Sequence, residues 1–259
     1  MDWLIYVDPS PRGDWALSLA AQLPERQGAV VTLLATAEDA AREPDLLARA
    51  RARLGPTDST REITRPGPAE HAVGSEASSR RYDLLIVPPA GRNAIQRMLR
   101  GSRVATVVRS VRAPVLVARR PPPRLARVLA AVSGGRSTEA VCRGAAELAR
   151  GLGAEAAFLH VVSEVALPFS PHAPREPVNA EPRAGPAEEE ARRVLRALGR
   201  EVALMRREGL VVDEILAEFE SGAHDLLVIG AREDAGWGRE DVTERLLLRC
   251  PGSTLVVPR

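Results

Sequence analysis

The chain has 259 residues, 45% of them hydrophobic, which suffices for one large domain or for two of about 125 residues with separate cores. Its formal net charge is only +2 and all 36 basic residues are arginine, so a Walker A phosphate loop and Schiff-base catalysis, which need a lysine amine, are excluded. No apolar run reaches the roughly 18 residues of a membrane span, and "MDWLIYV" lacks the basic start and cleavage site of a signal peptide, so the expected location is the cytoplasm.

Along the chain, short β-branched runs alternate with longer amphipathic stretches. In the first half the pattern predicts strands near 3–8, 29–36, 59–65, 83–88 and 114–119. Helices are expected between them, at about 12–24, 38–54, 68–80 and 102–112, a parallel α/β pattern. "DLLIV" at 83–87 and "DLLVI" at 225–229 are continuously apolar, as in central strands covered on both faces.

The chain repeats itself. "LIYVD" at 4–8 aligns with "LAAVS" at 129–133, "AAQL" at 20–23 with "AAEL" at 145–148, and "LLAT" at 33–36 with "FLHV" at 158–161, all at an offset of about 125. "YDLLIVPPA" near 82 then meets "HDLLVIGA" near 224 at an offset of about 142, and "PVLVA" at 114–118 pairs with "STLVV" at 253–257. The extra residues fit the proline-rich, aperiodic segment 163–186, read as a surface insertion, with a cover for the cleft or a docking element as the alternative. The acidic stretch "EEEARRVLRALGREVALMRREG" after it reads as a helix. The division is a first domain at 1–120, a linker at 121–126 within "RRPPPR" and its continuation, and a second domain at 127–259.

Ligands of an open α/β sheet sit outside the carboxyl ends of its strands, where the connections reverse direction. Asp8 ends the first strand, and the loop "PPAGRNAIQRMLRGSRVAT" follows the fourth. Gly91 and Gly101 let backbone approach a ligand, and Ser102 opens the next helix, where free N–H groups favour an anion. Eleven arginines and no acid lie between Leu84 and Thr138. The plainer reading is that the glycines end strands, Ser102 is an N-cap and the arginines form a solvated face.

Asp8 after a first strand, a fourth strand followed by G-(9 residues)-G-S, and then "VRAPVLVARR" resemble the universal stress protein family, over nearly the whole chain and as two tandem copies. The resemblance implies five-stranded parallel sheets of order 3-2-1-4-5, of the adenine-nucleotide alpha-hydrolase-like kind. It also implies antiparallel pairing of the two final strands, here within one chain as a pseudo-dimer that would cover both edges. Some members bind ATP. Carried over, this implies Asp8 on the nucleoside side, Thr36 beside the base, and Pro88, Gly91, Gly101, Ser102 and Arg103 around the phosphates. Two departures stand out: Pro88 replaces the first loop glycine, fixing φ and removing a donor, and Ala35–Thr36 replace the His-Val common after the second strand.

In the second half, Ser133 stands at the place of Asp8, Glu233 at that of Gly91, and Glu240–Asp241 at that of Gly101–Ser102, in a loop about three residues shorter. Carboxylates at a helix start compete with phosphate, so this half is expected not to bind ATP in the family's manner. "SGGRST" at 133–138 resembles the SGGxDS loop of ATP pyrophosphatases but has Ser137 in place of the acid, and a turn with an N-cap explains it as well.

Cys142 and Cys250 lack CxxC spacing, and His71, His160, His172 and His224 lack metal-ligand spacing, so no metal site is expected. Asp83 and Asp225 read as helix-to-strand turn residues, and no nucleophile, base and orienter assemble. The expectation is a non-enzymatic stress-response sensor or adaptor with ATP as ligand and a protein partner. A nucleotide-free scaffold is the second reading. Nucleic-acid binding through Arg92, Arg97, Arg100, Arg103, Arg109 and Arg112 is the third, weakened by the few aromatic residues. Two copies of the chain could also associate as a homodimer.

Overall fold

The computed structural model describes residues 1–89, 113–133, 137–163, 185–197, 204–231 and 242–258. The expected helix at 102–112, the loop residues Gly91, Gly101, Ser102 and Arg103, most of the insertion and the acidic loop lie outside the described residues.

The first half runs β1 (Asp2–Tyr6), α1 (Gly13–Ala20), a 3₁₀ turn (Pro24–Gly28), β2 (Val30–Thr36), α2 (Ala37–Arg42), α3 (Leu46–Leu54), β3 (Ser59–Arg65), α4 (Ala69–Ser79), β4 (Leu84–Val87) and β5 (Val115–Val117). The second runs β6 (Arg127–Val132), α5 (Thr138–Leu152), β7 (Glu155–Ser163), α6 (Pro186–Ala197), β8 (Leu204–Gly209), α7 (Val211–Ser221), β9 (Leu226–Gly230), α8 (Val242–Arg249) and β10 (Ser253–Val257). Together the strands make one ten-stranded sheet of order β3-β2-β1-β4-β5-β10-β9-β6-β7-β8. Each half is the parallel 3-2-1-4-5 arrangement, and β5 and β10 join antiparallel, with Leu116 opposite Leu255.

Register confirms the repeat. Asp2 faces Val30 as Arg127 faces Glu155, and Trp3 faces Leu84 as Val128 faces Leu226, so the offsets of 125 and 142 hold residue by residue. Leu85 faces Val115 whereas Leu227 faces Thr254, which places the second half's three-residue shortening between β9 and β10. The net insertion falls between β7 and β8, since Leu33 faces Glu62 but Phe158 faces Leu204.

Alternation along β1 divides the core in two. Trp3, Ile5 and Val7 face a layer built with α1, α3, α5 and α6, while Leu4 and Tyr6 face a layer built with α4, α7 and α8. Burial on both faces is why the central strands are apolar throughout. The outer strands β3 and β8 carry exposed Arg61, Glu62, Arg206 and Glu208, charges that discourage a further strand from pairing there.

Two expected helices differ from what forms. The helix expected at 38–54 is two, α2 and α3, because Pro44 lacks an N–H and disfavours helical backbone in the residue before it. The acidic helix is described over Pro186–Ala197, and its expected continuation from Leu204 is β8, which pairs in parallel with β7. Edge pairing there overrides an amphipathic helical pattern.

The halves are tied by more than β5 and β10. Arg119 follows β5, and its guanidinium donates to the carbonyls of Leu247 (3.0 Å), Leu248 (3.3 Å) and Cys250 (2.8 Å), capping the open end of α8. Gln22 donates to the Pro122 carbonyl and accepts from the Leu125 amide, holding the connecting segment against the first half. The ring of Pro24 packs so closely on Gly151 that a Cβ there would lie 2.7 Å from it.

Candidate functional site: two crevices at the carboxyl ends of the strands

The connection after β1 leads to β2, while β4 lies on the other side of β1, so the sheet has a switch point between β1 and β4, and an equivalent one between β6 and β9. The carboxyl ends of those strands are the positions at which such sheets hold ligands.

In the first crevice Asp8 stands just past β1, partly exposed, and its Oδ1 accepts the Ser10 amide at 2.7 Å. This Asx turn commits one carboxylate oxygen to the chain just past β1. Gly13 is needed behind it, because a Cβ there would sit 2.1 Å from the Asp8 carbonyl oxygen. Thr36 is buried, and its hydroxyl is committed to the start of α2: it accepts the Asp39 amide (3.0 Å) and donates to Asp39 Oδ2 (2.7 Å). Tyr6 donates to the same carboxylate at 3.3 Å, and burial first, then Asp39, pushes its phenol far above the ordinary range. Pro88 is buried beyond the end of β4. The structure thus sets Asp8 and Pro88 at the ends of adjacent strands, with Thr36 one strand further out on β2.

The second crevice opens into a cavity of about 390 Å³. Val132 and Ser133 line it from the end of β6, Ile229 and Gly230 from β9, and Val161 from β7, with α7 and α8 closing the sides through Val211, Ile215 and Leu246. By the register offsets, Ser133 occupies the place of Asp8, Gly230 that of Pro88 and Val161 that of Thr36. Gly230 lets β9 meet the start of α5, since a Cβ would lie 2.3 Å from Ser137 Oγ. His160, the counterpart of Ala35, donates from Nδ1 to the Val132 carbonyl at 2.9 Å, which fixes its ring against β6. The sequence reading missed this cavity. The signal in the sequence is His160–Val161, the pair that Ala35–Thr36 replace in the first half; of the two, Val161 lines the cavity.

A second matched feature lies on the α4 and α7 face. Glu76 of α4 accepts from Tyr82 (2.6 Å) and from Arg65 Nε (3.0 Å) and Nη2 (2.6 Å). Burial alone would raise the Glu76 pKa, but the Tyr82 and Arg65 hydrogen bonds outweigh it and hold the carboxyl below its ordinary value. Burial and Glu76 push the Tyr82 phenol up to about 12. The same places in the second half hold Glu218, Arg207 and His224. Asp83 and Asp225 also match: Asp83 accepts the Asp2 amide, and Asp225 accepts the amides of Ala126 and Arg127, each pinning the start of its half's first strand.

Among the described residues no group of three His, Cys, Asp or Glu side chains could hold a metal ion, and no helix is long and apolar enough to cross a membrane. Cys142 and Cys250 are buried and free; burial pushes the Cys142 thiol up to about 12 and raises that of Cys250, so neither is a ready nucleophile.

The Universal stress protein family model matches residues 35–119 and again 125–258. The first match begins at Ala35, past Asp8. A universal stress protein from Archaeoglobus fulgidus DSM 4304 superposes with a TM-score of 0.69 at 17% identity, over 100% of this chain and 96% of that one. A putative universal stress protein from Pseudomonas aeruginosa UCBPP-PA14 superposes with a TM-score of 0.67 at 17% identity, over 99% and 92%. The functionally unknown protein PA1789 from Pseudomonas aeruginosa PAO1 does so at 0.64, with the same identity and coverage. No curated protein sequence matches the chain. With both halves matched, in one sheet joined through its two final strands, the chain belongs to the universal stress protein family as a tandem member.

Proposed function

We propose that this protein serves the stress response as a cytoplasmic, non-enzymatic sensor or adaptor that binds ATP or a related adenine nucleotide in the crevice of its first half. The observation that supports this reading is Asp8, a partly exposed carboxylate just past the end of β1 at the switch point, of the kind that accepts hydrogen bonds from ribose hydroxyls. The acid-free run of eleven arginines from Leu84 to Thr138 supplies a field suited to phosphates. Gly91, Gly101, Ser102 and Arg103 remain the proposed phosphate loop.

A specific observation favours a second reading. The cavity of about 390 Å³ in the second crevice, with His160–Val161 beside it, offers apolar walls for a base in the half whose sequence argues against phosphates. Calorimetry with ATP on nucleotide-stripped protein separates the two. One site per chain, lost in Gly101→Asp and weakened in Asp8→Ala, supports the first crevice. One site insensitive to both changes assigns binding to the second, and two sites mean both are live. No binding at millimolar ATP leaves the nucleotide-free scaffold.

A further inference from the structure

The cluster of Glu218, Arg207 and His224 differs from its first-half counterpart in two respects: His224 replaces Tyr82, and Arg207 has a second carboxylate, Glu214 at 3.3 Å, where the first half has Ala72. Tyr82 satisfies its one polar group by donating to Glu76. The His224 side chain is only 2% exposed, and among the described residues neither ring nitrogen makes a hydrogen bond. Glu218 Oε1 lies 3.5 Å from Nε2, at the outer limit of a hydrogen bond, because the Glu218 carboxylate is turned to Arg207. A buried, titratable and unsatisfied ring is costly in a stable fold unless it has a task.

The surroundings define what a proton on this ring would meet. From α7 come Glu218 and, through Arg207, Glu214; from β8 comes Arg207 itself. From the start of β6 comes Arg127, and ahead of β9 comes Asp225, whose carboxylate is held by the amides of Ala126 and Arg127. Phe219 packs alongside, ring centres 6.2 Å apart. Burial, and then Arg127, keep the ring neutral at neutral pH against the pull of Glu218.

We propose that His224, Glu218 and Arg207 form a proton-operated latch between β8 and α7. With the ring neutral, Glu218 belongs to Arg207 and is the shorter of the two pairs, beside Glu214 at 3.3 Å, that tie α7 to β8. A proton from solvent turns His224 into a second cation competing for the same carboxylate, and the tie to Arg207 loosens. Since α7 also places Val211 and Ile215 in the cavity wall, the loosening reaches the second crevice. The first half has no such latch, because Tyr82 stays protonated over the whole physiological range. The latch is independent of the nucleotide reading and stands or falls apart from it.

The test is amide hydrogen exchange of the full chain at about pH 7.5 and about pH 5.5, read as protection factors so that intrinsic rates cancel. In the wild type, protection of α7 relative to α4 should fall by about fivefold or more at the lower pH. In His224→Tyr, which restores the first-half arrangement, and in His224→Gln, which serves if tyrosine does not fit, the ratio should stay constant. Glu218→Gln, lacking the contested charge, should show weak α7 protection at both pH values. An α7-to-α4 ratio that does not change with pH in the wild type, or changes equally in the His224 variants, overturns the proposal.

Discussion

The two halves share strand order and register and differ in how they treat the same three polar positions. In the first, Arg65, Glu76 and Tyr82 close a fully paired cluster; in the second, Arg207 and Glu218 pair while His224 is left over. The crevices diverge too: a carboxylate and a proline frame the first, a serine and a glycine the second, where the cavity lies. Duplication fixed the frame because strand register tolerates no slip when both faces are buried, whereas side chains at strand ends and helix flanks were free to change.

The largest expected effect tests the equivalence of the cores. Trp3 and Val128 hold the same register position, both buried to within 1%. Trp3→Ala should cost about 3–5 kcal/mol and Val128→Ala about 2 kcal/mol in urea unfolding followed by circular dichroism. Equal losses would show that the halves do not fill this position as the register implies.

Next come the matched clusters. Glu76→Ala strands the Tyr82 hydroxyl and unpairs Arg65, and should cost about 2–3 kcal/mol. Glu218→Ala leaves Arg207, which is one-third exposed, with Glu214 as its remaining partner, and should cost about 1–2 kcal/mol. A larger loss from Glu218→Ala would mean that His224 already depends on that carboxylate.

Gly230→Ala should destabilise by about 1–3 kcal/mol, because its Cβ would overlap the Ser137 side chain and force α5 away from β9. Its melting temperature compared with that of Gly28→Ala, where a Cβ meets nothing within 4 Å, checks the steric cause.

The smallest effect is in pH dependence. Glu76 is lowered in the fold, so its contribution is present above the ordinary carboxylate value, near 4.3, and is lost as pH falls through its folded value. His224 is also lowered, so the unfolded chain takes up its proton first and stability falls as pH drops below about 6.5. Acid should therefore weaken the second half first. Tyr82→His should give the first half the same early loss, read as a steeper fall in melting temperature between about pH 7 and pH 5.5.

Much of this was legible in the sequence. Local similarity at constant offsets gave away the repeat, because each β-strand side chain must return to the same face. Asp83 and Asp225 were recognisable as turn residues, and the structure shows each capping the first strand of its half. Pro44 is the break that an uninterrupted reading of the helix at 38–54 overlooks. The cavity was less legible: it depends on Gly230, Val161 and Ile215, far apart in the chain, converging from three elements.

By itself, then, the sequence determined the α/β class, the duplication, the two-sided core strands and the position of Asp8, since these follow from periodicity and spacing along the chain. Only the tertiary structure decided that Leu204–Gly209 is a strand, that Arg119 caps a helix of the other half, and that His224 faces Glu218 without a hydrogen bond. Each of these depends on which groups distant in sequence come within a few ångströms, and pairing and desolvation are set by that proximity rather than by local pattern.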